Sequence, residues 1–126
     1  MNTSAKGARA EREVINHLRS EGYDHIIKSA GSKGVCDVIA FAPDHFLFIQ
    51  VKTDKPIPHA EWNVLYEQAL KVGAIPLLAE RKIRQPVTYR RITGYHVFQS
   101  KNWPAMNWEP SLIVREELGE ELEEVS

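Results

Sequence analysis

Three polar residues interrupt the most apolar part of this chain. Asp37 stands near the head of the apolar run 35–42, and Gln50 and Lys52 close the run 46–52, with Pro43 and Asp44 between them as a turn signal. A hairpin with its tip at Pro43-Asp44 pairs residues whose numbers sum to 87, which sets Asp37 opposite Gln50 with both side chains on one face. Lys52 projects to that same face and Val51 to the other. A one-residue slip would scatter the group, so the alignment depends on register. A carboxylate, an amide oxygen and the Val51 main-chain carbonyl are suitable donors for a hard divalent cation. Such an ion polarises a phosphate ester and lowers the pKa of an attacking water. A lysine beside it can hold that water or balance charge developing on phosphorus. Glu11, earlier in the chain, would supply a further carboxylate directly or through water. The chemistry these types suit is phosphodiester hydrolysis.

The elements that must position these residues are legible from periodicity. Residues 5–21 carry Ala8, Val14, Ile15 and Leu18 at helical spacing, with Ser4 as an N-cap and Gly22 as a stop, so Glu11 lies on a helix. A short strand over 24–28 and a Gly/Ser loop over 29–34 lead into the hairpin. Pro56 and Pro58 precede a second helix over 60–72, with Trp62, Leu65, Ala69 and Val72 on one side and Gly73 at its end. Strands are expected over 74–79, 87–92 and 95–98, and an irregular segment over 103–108. The fold class is α/β, a mixed central β-sheet flanked by helices. No internal repeat is present.

Composition places this within a single globular domain. The chain has 126 residues, 43% hydrophobic and 26% charged, enough for one core and too few for two. Residues 1–107 hold 15 Lys+Arg against 10 Asp+Glu, and residues 108–126 hold one Arg against seven acids. The reading is a mildly basic nuclease domain over 1–107 with an acidic tail over 108–126, whose stretch 116–124 forms an acidic helix or a disordered segment. No stretch reaches the ~18 consecutive apolar residues of a membrane span. The opening residues hold no apolar signal segment, and the one cysteine, Cys36, cannot form an internal disulfide. A reducing cytoplasm is expected, with no membrane partner.

Asp37 followed after a hairpin by Gln50-Val51-Lys52 resembles the D…(E/Q)xK core of the PD-(D/E)XK nucleases. Lys6-Gly7-Ala8-Arg9-Ala10-Glu11-Arg12 resembles the KGxxxER opening of archaeal-type Holliday junction resolvases. The loop Gly31-Ser32-Lys33-Gly34 and the helix end Lys71-Val72-Gly73-Ala74 are similar to that family as well, and the likeness spans roughly residues 5–80. The resemblance implies a restriction-endonuclease-like core and a homodimer that nicks both equivalent strands of a four-way DNA junction, using Mg²⁺ or Mn²⁺. It implies Glu11 as the helix carboxylate, Asp37 as the central metal ligand, Lys52 as the catalytic lysine and Ser32 as a loop residue near the scissile phosphate. Two positions depart from the pattern. Gln50 stands where the family usually has Glu, and Cys36 where it commonly has Pro. A neutral ligand holds a cation less tightly, so weaker metal affinity with retained activity is expected.

Taken singly, each residue has an ordinary reading. Glu11 is a helix-surface acid, Asp37 a turn acceptor, Gln50 and Lys52 the solvent face of a strand, and Ser32 a loop hydroxyl. Only their joint order favours a site. Lys6, Arg9, Arg12, Lys33, Lys55 and Arg81 are the candidate phosphate contacts, Arg81 within a basic cluster that includes Lys82, Arg84, Arg90 and Arg91. The five histidines show no metal-ligand spacing, and Cys36 reads as a small buried hydrophobe. Two alternatives stand beside junction resolution: cutting of another DNA structure by the same fold, and a junction-binding module that no longer cuts.

Overall fold

A computed structural model describes residues 3–28 and 36–113, with side chains from residue 7 onward. The order is α1 (Thr3–Ser20), β1 (His25–Lys28), β2 (Val38–Phe41), β3 (Phe46–Thr53), α2 (His59–Val72), β4 (Ile75–Arg81), β5 (Thr88–Ile92) and β6 (Ala105–Asn107). The strands form one sheet in sequence order, antiparallel throughout except for the parallel pair β3–β4 that α2 connects.

The hairpin register is the one that alternation requires. Val38 lies opposite Ile49 and Phe41 opposite Phe46. Ala42 N–H donates to the His45 carbonyl at 2.8 Å, closing the turn around Pro43-Asp44. Each face of the sheet has its own core. On one, Val14 and Leu18 of α1 cover Val38, Ala40, Leu47, Ile49, Leu77 and Ala79. On the other, Trp62 and Leu65 of α2 cover Leu78, Ile92 and Cys36, with Ile39 and Phe48 at the margin. Because β4 is buried on both faces, its run Pro76–Ala79 is continuously apolar instead of alternating.

Trp62 anchors the α2 side. It is fully buried, donates its indole N–H to the Gly94 carbonyl at 3.0 Å, and meets Trp103 edge-on. Trp62→Ala is expected to cost about 3–5 kcal/mol, most of the margin of a domain this size. Urea unfolding of the variant measures it, and a loss below about 1 kcal/mol would contradict this packing.

Several sequence expectations shift. α1 begins at Thr3, so Ser4 lies inside the helix and does not cap it. Val72 is 53% exposed, so it leaves the buried stripe of α2. β4 runs two residues further, to Arg81. The segment 95–98 is not a strand: the Asn63 side chain takes the backbone N–H of His96 at 2.7 Å and its carbonyl at 3.0 Å. The last strand lies instead within the segment read as irregular, where Ala105–Asn107 pairs with Arg90–Ile92. Three residues following Pro104 are too few to show an alternating pattern. Beyond β6, Trp108 and Leu112 pack on the α1-side core, and Leu112 N–H donates to the Glu21 carbonyl at 2.7 Å. Gly22 permits this approach: its φ is +100°, and a Cβ there would stand 3.0 Å from the Leu112 Cβ. The acidic stretch 114–126 and the loop 29–35, with Ser32 and Lys33, lie outside the described residues.

Candidate active site

β-strand alternation sorts the site residues. Leu47, Ile49 and Val51 face α1, so Phe48, Gln50 and Lys52 share the α2 face. Lys52 confirms this by donating to Glu61 Oε1 in the first turn of α2 at 2.9 Å. Asp37 sits one residue before β2 and is clamped onto β3 at two points. Its N–H donates to the Ile49 carbonyl at 2.9 Å, and its Oδ2 accepts the Val51 N–H at 2.8 Å. The two bonds straddle Gln50. The aspartate is thereby fixed beside the Gln50-Val51-Lys52 segment, although the ladder itself starts only at Val38 opposite Ile49.

Glu11, on the α1 side of the sheet, lies near enough to Asp37 to feel its charge. Its carboxyl is raised above the ordinary range, first by burial and then by the negative charge of Asp37, while Lys28 opposes the shift from 3.5 Å. Asp37 is likewise raised by burial and by Glu61, against the Val51 N–H and Lys52. Two partly buried carboxylates, both held above their ordinary range by burial, are groups whose charge a bound dication would stabilise. Among the described residues no three His, Cys, Asp or Glu side chains group as a metal cluster. Mg²⁺ uses one or two protein carboxylates and completes its shell with water and phosphate oxygens, so two acids with the neutral oxygens of Gln50 and Val51 fit it.

Three partners escaped the sequence. Glu61 holds Lys52, Lys28 holds Glu11, and Glu13 takes the Arg81 guanidinium through both carboxylate oxygens. The only local sign was an acid in the first turn of α2. Of the phosphate-contact candidates, Arg9, Arg12 and Lys55 are exposed, and none has an ion-pair partner among the described residues. Arg81 is turned to α1 by Glu13. The side chain of Lys6, like Ser32 and Lys33, is outside the described residues.

Four of the five histidines make structural contacts. His17 bonds the Tyr89 hydroxyl at 2.9 Å, His45 that of Tyr23 at 2.8 Å, and His59 meets buried His96 at 2.7 Å. Burial pushes the Cys36 thiol up to about 11, so it behaves as an inert core group.

A mixed sheet flanked by helices, with a carboxylate clamped across a Gln-Val-Lys strand end, defines a restriction-endonuclease-like nuclease core. The family model for archaeal Holliday junction resolvase (Hjc) matches residues 2–100, and the chain belongs to that family. It is accordingly a DNA endonuclease of the junction-resolving class. The chain is also similar in fold to Archaeoglobus fulgidus Hjc, a Holliday junction resolvase from an archaeal hyperthermophile. The TM-score is 0.61 at 22% identity, over 79% of this chain and 87% of that one. No helix among the described residues is long and apolar enough to cross a membrane.

Proposed function

We propose that the protein resolves four-way DNA junctions in the cytoplasm as a symmetric homodimer, nicking two equivalent strands with Mg²⁺, for which Mn²⁺ can substitute. The observation that carries this reading is the clamp of Asp37 on β3 beside Lys52, with Glu11 near enough to feel the charge of Asp37. Glu11, Asp37, the Gln50 amide oxygen and the Val51 carbonyl would hold the ion, whose chemistry is to polarise the phosphate and acidify a bound water. Asp37 is oriented by the Val51 N–H and loses no freedom on binding. Lys52 starts paired with Glu61 and must exchange that carboxylate for a phosphate oxygen, where its ammonium balances the charge growing on phosphorus. Ser32, in the loop before β2, would contact the scissile phosphate.

Arg9 and Arg12 on α1, with Lys6, Lys33 and Lys55, would grip phosphates along the branched backbone, so shape rather than base sequence sets the choice of substrate. A junction offers two equivalent strands, and two sites about a two-fold axis match them. All these residues lie within 1–107, and none comes from 108–126, of which Trp108 and Leu112 pack on the core. Cleavage of a synthetic junction with Mg²⁺, compared with linear duplex, tests the reading. Symmetric nicks in the junction alone support it, and equal cutting of duplex contradicts it.

A second reading, a junction binder that does not cut, is favoured by one observation: the neutral Gln50 at a position of metal contact. Gln50→Glu separates the two. The added charge is expected to keep or raise the cleavage rate at low Mg²⁺, shifting half-saturation to lower concentration. A folded but inactive Gln50→Glu protein would show that Gln50 is not a ligand.

A further inference from the structure

We propose that the cleft at the carboxyl ends of β3 and β4 is a second phosphate subsite, where Lys55 and Lys82 hold a neighbouring phosphate of the strand being cut. The proposal rests on the nuclease reading above. β3 and β4 are the one parallel pair among the described strands, and both end at the same edge, at Thr53 and Arg81. Beyond these ends the chain leaves the sheet in two different loops, toward α2 and toward β5, which leaves a crevice between them. Here the crevice is about 410 Å³, and its walls include four cations, Lys52, Lys55, Arg81 and Lys82, against two acids, Asp54 and Glu80. That is far more than the space one water needs, ample for a hydrated phosphate group.

Ion pairing sorts these charges. Lys52 is held by Glu61 and Arg81 by Glu13, and a Glu80 oxygen lies 3.5 Å from Arg90 Nε. Lys55 and Lys82 have no carboxylate partner among the described residues, and both are exposed. The backbone between them is fixed. Asp54 N–H donates to the Arg81 carbonyl at 3.2 Å, tying the two strand ends together. Asp54 itself has φ +53°, a left-handed conformation that Asp adopts more readily than most residues. This turn sends the chain away from the sheet at Lys55, so the two lysines stand on one cleft rather than on separate surfaces. Two ammoniums without carboxylates, on rigid backbone, suit a phosphodiester anion. Lys52 lines the cleft and also faces Asp37, so one wall belongs to the subsite and to the cutting site. A strand placed for cutting at Lys52 therefore presents an adjacent phosphate to Lys55 and Lys82.

The test uses four-way junctions carrying one uncharged methylphosphonate at successive positions around the mapped cut. Binding and single-turnover cleavage are measured for the native protein and the Lys55→Ala/Lys82→Ala double variant. Removing the lysines is expected to lower the slope of log K against log salt by about two and to weaken binding about tenfold or more. One methylphosphonate near the cut should weaken the native protein yet cost the double variant nothing further, while the others penalise both equally. Lys55→Arg/Lys82→Arg should restore both slope and penalty. Native cleavage with additive penalties at every position, or with an unchanged salt slope, overturns the subsite and leaves the nuclease reading intact. A native protein that neither binds nor cuts the junction overturns both.

Discussion

Asp37→Asn is expected to fold normally, to bind four-way junctions about as tightly as the native chain, and to lose at least about 10³-fold in cleavage rate, a loss of the size seen when a principal electrostatic contact to the reacting group is removed. The fold survives because the amide oxygen of Asn can still accept the Val51 N–H that the carboxylate accepts at 2.8 Å. Binding survives because Arg9, Arg12 and Lys55 reach phosphates independently of the aspartate. Cleavage fails because the remaining set, Glu11 with two neutral oxygens, holds a dication poorly. Stability should move the other way. The folded chain raises the Asp37 carboxyl above its ordinary value, by burial first, so its charge costs stability at neutral pH in the absence of metal. That cost is fully present above the raised pKa, shrinks as pH falls below it, and is gone below the ordinary carboxylate value, where the unfolded carboxyl is neutral too. Metal-free Asp37→Asn should therefore melt at or above the native temperature at pH 7, and the difference should shrink on acidification. A clear loss of thermal stability at pH 7 would show that the carboxylate is a structural anchor.

Lys52→Ala is expected to slow single-turnover cleavage by about 10²–10³-fold with little change in junction affinity. The ammonium balances charge that exists only as the phosphorus is attacked, so its loss falls on the rate rather than on binding. Folding should be nearly unaffected. The partner left behind, Glu61, is 46% exposed and remains hydrated, and exposed ion pairs of this kind contribute about 0–1 kcal/mol. Equal losses in affinity and rate would reassign Lys52 to the DNA grip.

The hairpin was legible because its constraints were local. Pro43-Asp44 fixes the turn, alternation fixes which side chains share a face, and Asp37 then has one place to go. Both helices declared themselves by apolar spacing and by Gly22 and Gly73 at their ends. What the sequence hid depends on contacts between distant segments. Nothing near Lys52 announces Glu61, because the pair forms only when α2 folds back across β3. Arg81 reads as a surface cation until Glu13 of α1 claims it, 68 residues away. The segment 95–98 carries strand-like residues, yet the Asn63 side chain captures the backbone that a ladder would need. Tertiary hydrogen bonds outweighed local preference there.

The most direct measurement of the central claim is a crystal of the protein soaked in Mn²⁺, with the ion located by its anomalous scattering. The account expects one ion per chain, touching an Asp37 oxygen, the Gln50 amide oxygen and the Val51 carbonyl, with Glu11 bound directly or through one water. That ion should be missing from Asp37→Asn crystals. Manganese bound elsewhere, with Asp37 and Glu11 still engaged only by the Val51 N–H and Lys28, would contradict it.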